Sequence, residues 1–176
     1  MTHASSSLLI RGDLTVKVRS VKSGRILRTF VIRNTVTYLG MGTVVQLLSQ
    51  RTAPPDDAPA ALKLAELWVG DGVVAPVRGD TALSGTLAAK VTLTDATKTP
   101  NIVGPIYELR LLATLPATGG VLVDGNGYTL TEAGLYTAGS AVPLVTQKLF
   151  ARQIHPAIAK TSAIAIDYDW RISFTA

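Results

Sequence analysis

The sequence predicts a mainly β chain, an antiparallel β-sandwich of jelly-roll-like character with one short α-helix near residues 38–50. Two observations carry that expectation. From Ile164 to Thr175, Ile164, Ile166, Tyr168, Trp170, Ile172 and Phe174 alternate with small or polar residues, the period of a half-buried strand. Elsewhere short apolar runs are separated by Gly-, Pro- and Asp-rich turns with no strand–helix alternation, which argues against a doubly wound α/β fold.

Taken in order, Leu14, Val16 and Val18 alternate with Thr15, Lys17 and Arg19 as a strand. Val21-Lys22-Ser23-Gly24 is a turn, with Gly24 suited to a positive φ. Ile26, Phe30 and Ile32 mark the returning strand, and Leu27 and Val31 on its other face predict a strand covered on both sides for part of its length. Tyr38, Met41, Val45 and Leu48 form one helical stripe with Thr37 as N-cap. The Pro-rich stretch 53–59 ends that helix. Further strands are expected over 62–69, 86–94, 106–115 and 145–154. Asp124-Gly125-Asn126-Gly127 should join VLV (121–123) to YTL (128–130) as a tight hairpin. The reading is a single domain over residues 1–176, with an N-terminal basic hairpin at about 12–33 and the Pro-rich loop at 53–59.

Composition narrows the function classes. The 176 residues are 47% apolar, a globular value, but only 16% charged, against about 25% in typical soluble domains. The shortfall points to surface covered by other subunits. With no cysteine and two histidines, thiolate chemistry is excluded and a His-based metal site is disfavoured. The opening MTHASSSLLIRGD shows no targeting pattern, and the uncharged run between Arg33 and Arg51 is too polar and too short to span a bilayer.

Tests for chemistry fail one after another. Gly40-Met41-Gly42 has Val45 where a dinucleotide loop needs its third glycine, so the glycines read as room for a tight turn. There is no P-loop and no nucleophile elbow. His155, before Pro156, reads as a turn residue at a strand end. Asp167 and Asp169 project from one face at a spacing that a glycosidase pair would tolerate, but Arg171 extends the row and a solvated charged face is the simpler account. Asp124-Gly-Asn-Gly resembles the start of a calcium loop, yet Leu135 stands where the bidentate Glu belongs. Asp71 and Asp80 flank an extended loop without specifying an ion. No catalytic residue, cofactor or metal is expected.

The sharpest asymmetry is at the amino-terminal end. Arg11, Lys17, Arg19, Lys22, Arg25, Arg28 and Arg33 face one acid, Asp13, within the first 33 residues. Such a row either discourages edge pairing or docks on an acidic neighbour. Nucleic acid is poorly supported, because Phe30 is the one aromatic interleaved with the patch.

Four segments, in this order, give the chain a family likeness: the hairpin running into VIRNTVT and the helix; LAELWVGDGVVAPVRGDTALSG; Leu130-Thr131-Glu132-Ala133-Gly134-Leu135-Tyr136; and LFARQIHPAIAKTSAIAIDYDWRISF. The chain resembles small structural proteins of tailed bacteriophage virions, the kind found in tails, baseplates, collars and fibre attachments, over roughly residues 12–174. The Pro-rich insertion at 53–59 departs from that pattern. The resemblance implies a non-enzymatic, symmetric virion component. The resulting expectation is a ring or trimer that contacts copies of itself and other virion proteins, with no small-molecule substrate and no membrane. The basic hairpin and Glu132, Ala133, Gly134, Leu135 and Tyr136 are the expected contact residues, with Glu132-Ala133-Gly134 expected as a turn small enough for close backbone approach. The alternatives are a capsid decoration protein and, from another class, a carbohydrate-binding β-sandwich; the latter needs exposed aromatic platforms, whereas Tyr168 and Trp170 fall on the predicted buried face.

Overall fold

The computed structural model describes residues 9–49, 63–103, 106–118, 124–141 and 144–175. Among these the chain forms eleven strands and one α-helix: β1 (Leu9–Ser20), β2 (Ile26–Val36), α1 (Tyr38–Ser49), β3 (Leu64–Gly70), β4 (Leu87–Thr92), β5 (Lys98–Val103), β6 (Ile106–Leu115), β7 (Thr129–Thr137), β8 (Ser140–Ala141), β9 (Leu144–Val145), β10 (Leu149–Ala159) and β11 (Ile164–Thr175). The fold is mainly β and antiparallel, as the sequence predicts.

Nine strands hydrogen-bond in the order β4-β3-β7-β10-β2-β1-β11-β6-β5. Laid flat, strands about 4.8 Å apart would place β4 and β5 about 38 Å from each other. The chain from Thr92 to Lys98 that joins them reaches at most about 22 Å. The sheet therefore curls into a half-barrel and brings its two ends together. The corner is β2, which pairs with β1 from Ile26 to Asn34 and with β10 only through Thr35 and Val36.

The period-two pattern of β11 is realised along its whole length. It pairs with β1 from Ile164 to Thr175 and with β6 from Ile166 to Thr175. Trp170 lies between Leu14 and Leu111, and Tyr168 between Val16 and Ala113, so each large ring is flanked by aliphatic neighbours in register. Ile166, Tyr168, Trp170 and Ile172 are buried, and Ile164 and Phe174 at the two ends of the strand are half-buried against the same core. Burying one such side chain contributes about 1.5–3 kcal/mol, which is why a one-residue slip of β11 is disfavoured. From the opposite half, Leu67, Val69, Ala133, Leu135 and Ala151 join the same core.

α1 closes one end. Thr37 caps it, its Oγ1 accepting from the Gly40 N–H at 3.0 Å. Gly40 is needed because a Cβ there would collide with the Phe150 carbonyl of β10, whereas nothing lies within 4 Å of a Cβ at Gly42. Gly40, and not Gly42, is thus the close-packing position of the Gly-Met-Gly element.

Three expectations need correction. β2 is not covered on both sides: Ile26, Leu27 and Val31 are exposed, and among the described residues the strand has β1 as its one neighbour until its last two residues. The strand expected over 145–154 runs instead from Leu149 to Ala159, carrying His155 and Pro156 inside it. Proline is tolerated there because the β7–β10 ladder is interrupted between Ile154 and Ile158, so no N–H is required. Finally, Glu132-Ala133-Gly134 is the interior of β7 and not a turn. The expected VLV half of the 124–127 hairpin, and the Pro-rich stretch, lie outside the described residues.

Candidate functional site

The segment 71–86 between β3 and β4 folds back over the outer face of β7 and β10. Strand alternation puts Ala133 and Leu135 into the core and turns Glu132, Gly134 and Tyr136 to the other side, where a sheet usually meets water. Here it does not: Glu132 is 0% exposed and Arg152 is 1% exposed. Isolated charges in that position would cost several kcal/mol each, so their partners decide whether the arrangement holds.

The partners come from the covering segment. Glu132 accepts from the backbone N–H groups of Gly72 at 3.1 Å, Ser84 at 3.0 Å and Gly85 at 2.8 Å, and from the Arg152 Nε at 2.9 Å. The remaining Arg152 nitrogens reach the Asp80 carboxylate at 2.7 Å, the Val74 carbonyl at 2.7 Å and Ser84 Oγ at 2.6 Å. The Tyr136 hydroxyl accepts from the Leu83 N–H at 3.1 Å. Thr131 Oγ1 donates to the Gly72 carbonyl at 2.8 Å, and Asp71 accepts from Thr86 N–H at 2.6 Å. Burial alone would raise the Glu132 carboxyl, but the Ser84 and Gly85 amides and the guanidinium hold it below the ordinary carboxylate value. Burial likewise pushes the Tyr136 phenol up to about 12.

Glycines make the approach feasible. A Cβ on Gly72 would run into the Glu132 carboxylate and Ser84 Oγ, and one on Gly134 would press on Leu83 and Leu149. The Gly-Asp-Gly, Ser-Gly and Glu-Ala-Gly signatures are therefore parts of one clamp. What the clamp presents outward is apolar: Val73 is 73% exposed, and Val74 and Val77 are exposed beside it. Tyr38, also exposed, joins this surface through its N–H to the Arg78 carbonyl at 2.7 Å.

Residues 132–136, expected to touch a neighbouring subunit, are instead buried within the chain, beneath its own segment 71–86. The expected basic residues separate into two groups. Arg19 is committed to Asp167, with two hydrogen bonds of 2.9 and 3.0 Å, and Lys17 lies in the same charged row. Arg11, Lys22, Arg25, Arg28 and Arg33 are exposed. Among the described residues none of these five has an acidic side chain within ion-pair distance. Around the hairpin tip they alternate with exposed Val21, Ile26, Leu27 and Val31.

Other candidates are absorbed by structure. Asp169 receives two hydrogen bonds from Arg110 at 2.7 and 2.8 Å. Burial would raise both Asp167 and Asp169, but their arginines hold them below the ordinary value, so neither is poised as a general acid. His155 is buried in β10, its Nδ1 3.0 Å from the Pro156 carbonyl, and burial pulls it below its usual value. Trp68 faces outward, stacked on Tyr136 at 4.0 Å with the Lys90 ammonium 4.1 Å from its ring centre, so it is packed and not a bare platform. An apolar cavity of about 330 Å³ lies between α1 and the sheet; its wall includes Leu64, Leu109, Phe150 and Phe174, and Asp95 at its edge is paired with Lys98. Among the described residues no group of three acidic or histidine side chains could hold a metal ion, and no helix is long and apolar enough to cross a membrane.

The clamp escaped sequence reasoning because its members stand 60 and 72 residues apart in the chain, from Gly72 to Glu132 and from Asp80 to Arg152. One signal was present: a lone Glu in TLTEAGLY and a lone Arg in LFARQI, each the single Asp, Glu, Lys or Arg of its strand. Compared with protein families, curated proteins and solved structures, the chain finds no match.

Proposed function

We propose that the chain is a non-enzymatic structural subunit of a tailed bacteriophage virion, of tail, baseplate, collar or fibre-attachment type, acting by assembly into a ring or trimer. The observation that carries this reading is the clamped segment 71–86. A buried ion-pair network fixes its backbone while its valines face solvent. Association then buries apolar surface without ordering a flexible loop, which removes a main cost of binding. The carboxylates examined as catalysts are bound by arginines, consistent with side chains spent on structure.

The hairpin tip supplies a second contact of different chemistry. Its exposed basic residues with apolar neighbours suit an acidic protein partner, giving orientation and rate, while the valine surface gives affinity. The segment resemblance described above points to the same class. A virion location follows from this reading.

The test is incorporation. A variant carrying Lys22→Glu, Arg25→Glu and Arg28→Glu keeps its fold, because these side chains are exposed, and is expected to fail to enter assembled particles. Incorporation at the wild-type level would remove the hairpin from the interface. Labelled wild-type protein found on the capsid face of particles, away from the tail, would replace the tail reading with the decoration reading.

A further inference from the structure

Away from the clamp, a second buried polar cluster has no role in the reading above. Lys160 is 1% exposed and Asp124 is 7% exposed. The Lys160 Nζ lies 2.9 Å from the side-chain oxygen of Asn126, with further contacts to the Thr161 and Ala117 carbonyls at 3.1 and 3.4 Å. The Asn126 amide nitrogen donates to Asp124 Oδ2 at 3.0 Å and to the Ala117 carbonyl at 2.7 Å, and its backbone N–H donates to Asp124 Oδ1 at 3.0 Å. An amine, a carboxamide and a carboxyl group thus meet in one cluster, with Lys160 and Asp124 buried and Asn126 half-buried.

The backbone fixes all three. The Gly127 N–H donates to the Lys160 carbonyl at 3.0 Å, and the Lys160 N–H donates to the Tyr128 carbonyl at 2.9 Å. Positive φ values at Gly125 (68°) and Gly127 (88°) let the turn fold back so that Asn126 faces the lysine. Holding a nucleophile and an electrophile in contact converts a slow bimolecular reaction into an effectively unimolecular one. Burial lowers the proton affinity of the Lys160 amine while Asp124 opposes that shift, and the net lowering favours the neutral amine needed for attack.

We propose that Lys160 and Asn126 join in an intramolecular isopeptide bond, with Asp124 as the acid–base group. The Lys160 ammonium, at the oxygen end of the Asn126 carboxamide, gives up a proton that the Asp124 carboxylate, at its nitrogen end, takes up, leaving a neutral amine and a neutral acid with the carboxamide between them. The Nζ lone pair attacks Cγ of Asn126, forming the new C–N bond, while the Asp124 acid stabilises the tetrahedral carbon by moving a proton between the entering and leaving nitrogens. The Cγ–Nδ2 bond breaks and the amide nitrogen leaves. Overall, one ammonium and one carboxamide become a secondary amide and a released ammonium ion, with Asp124 a carboxylate at the start and at the end. No oxidant or cofactor enters. The product ties the turn before β7 to the end of β10 covalently, and the inference stands independently of the virion assignment.

Intact-mass measurement on the folded full-length chain tests this directly. Loss of one ammonia places the wild type about 17 Da below its sequence mass, and tryptic digestion yields a branched peptide in which Lys160 is uncleaved and joined to the Asn126 peptide. Lys160→Arg and Asp124→Asn are each expected at their full sequence masses. A wild-type chain at its full sequence mass overturns the proposal. So does a loss that survives Lys160→Arg without a branched peptide, which would mark cyclic imide formation at Asn126-Gly127. A bond that forms undiminished in Asp124→Asn overturns the role given to Asp124.

Discussion

The molecule carries arginine–carboxylate pairs on two outer faces, and the two faces use them differently. On β1, β11 and β6 the pairs Arg19–Asp167 and Arg110–Asp169 lie side by side, with the arginines 35% and 40% exposed; Asp167 is also open to water, while Asp169, at 8%, is covered. On β7 and β10 the pairs Arg152–Glu132 and Arg152–Asp80 are roofed by residues 71–86, with the arginine 1% exposed. The chemistry is the same and the solvent differs. Exposed pairs contribute about 0–1 kcal/mol because water and salt screen them. Breaking a buried pair strands a charge in a dry site. The open face is a solubilising surface, whereas the roofed one is a structural joint whose failure would release a whole segment.

The comparison can be broken hardest at Arg152. Arg152→Met leaves Glu132 and Asp80 without their cation, and urea unfolding should register a loss of about 3–5 kcal/mol. Adding Glu132→Gln should recover part of that loss, so the double-mutant cycle shows strong coupling. A smaller effect, about 1–3 kcal/mol, is expected for Gly72→Ala, where the new methyl group collides with the Glu132 carboxylate.

Acid sharpens the same contrast. Glu132 sits below its ordinary value of 4.5 in the fold, so its contribution is present above that pH and is lost as pH falls through the lower folded value. Glu132→Gln should therefore flatten the acid limb of stability measured by thermal unfolding between about pH 5 and pH 2. Smallest of all, Arg19→Ala on the open face should cost less than about 1 kcal/mol in the urea measurement, and added salt should shrink that difference further. A loss at Arg19 comparable to that at Arg152 would refute the division between the two faces.

How much of this was legible in the sequence follows from the range of each interaction. β11 was readable because alternation is local and the strand is paired on both edges. The Thr37 cap was readable because it too is local, whereas Tyr38, read as the first member of the apolar stripe, is exposed. β2 misled because its alternation matches a covered strand, while among the described residues it has no second neighbour over most of its length, a property of topology that leaves Val31 exposed. Glu132 was noticed as part of a segment, but its role depends on amides at Gly72, Ser84 and Gly85, which no local pattern connects to it. The same distance hid Lys160 from Asn126, 34 residues earlier.

Under the proposed function, the rigid apolar surface on segment 71–86 drives assembly. Light scattering coupled to size exclusion tests it most directly, on the wild type and on a Val73→Asp, Val74→Asp variant whose substitutions are exposed and leave the clamp intact. The account predicts a wild-type ring or trimer and a folded variant that elutes as a single 18.5 kDa chain. A wild type that stays at 18.5 kDa at every concentration, or a variant that assembles as the wild type does, would contradict it.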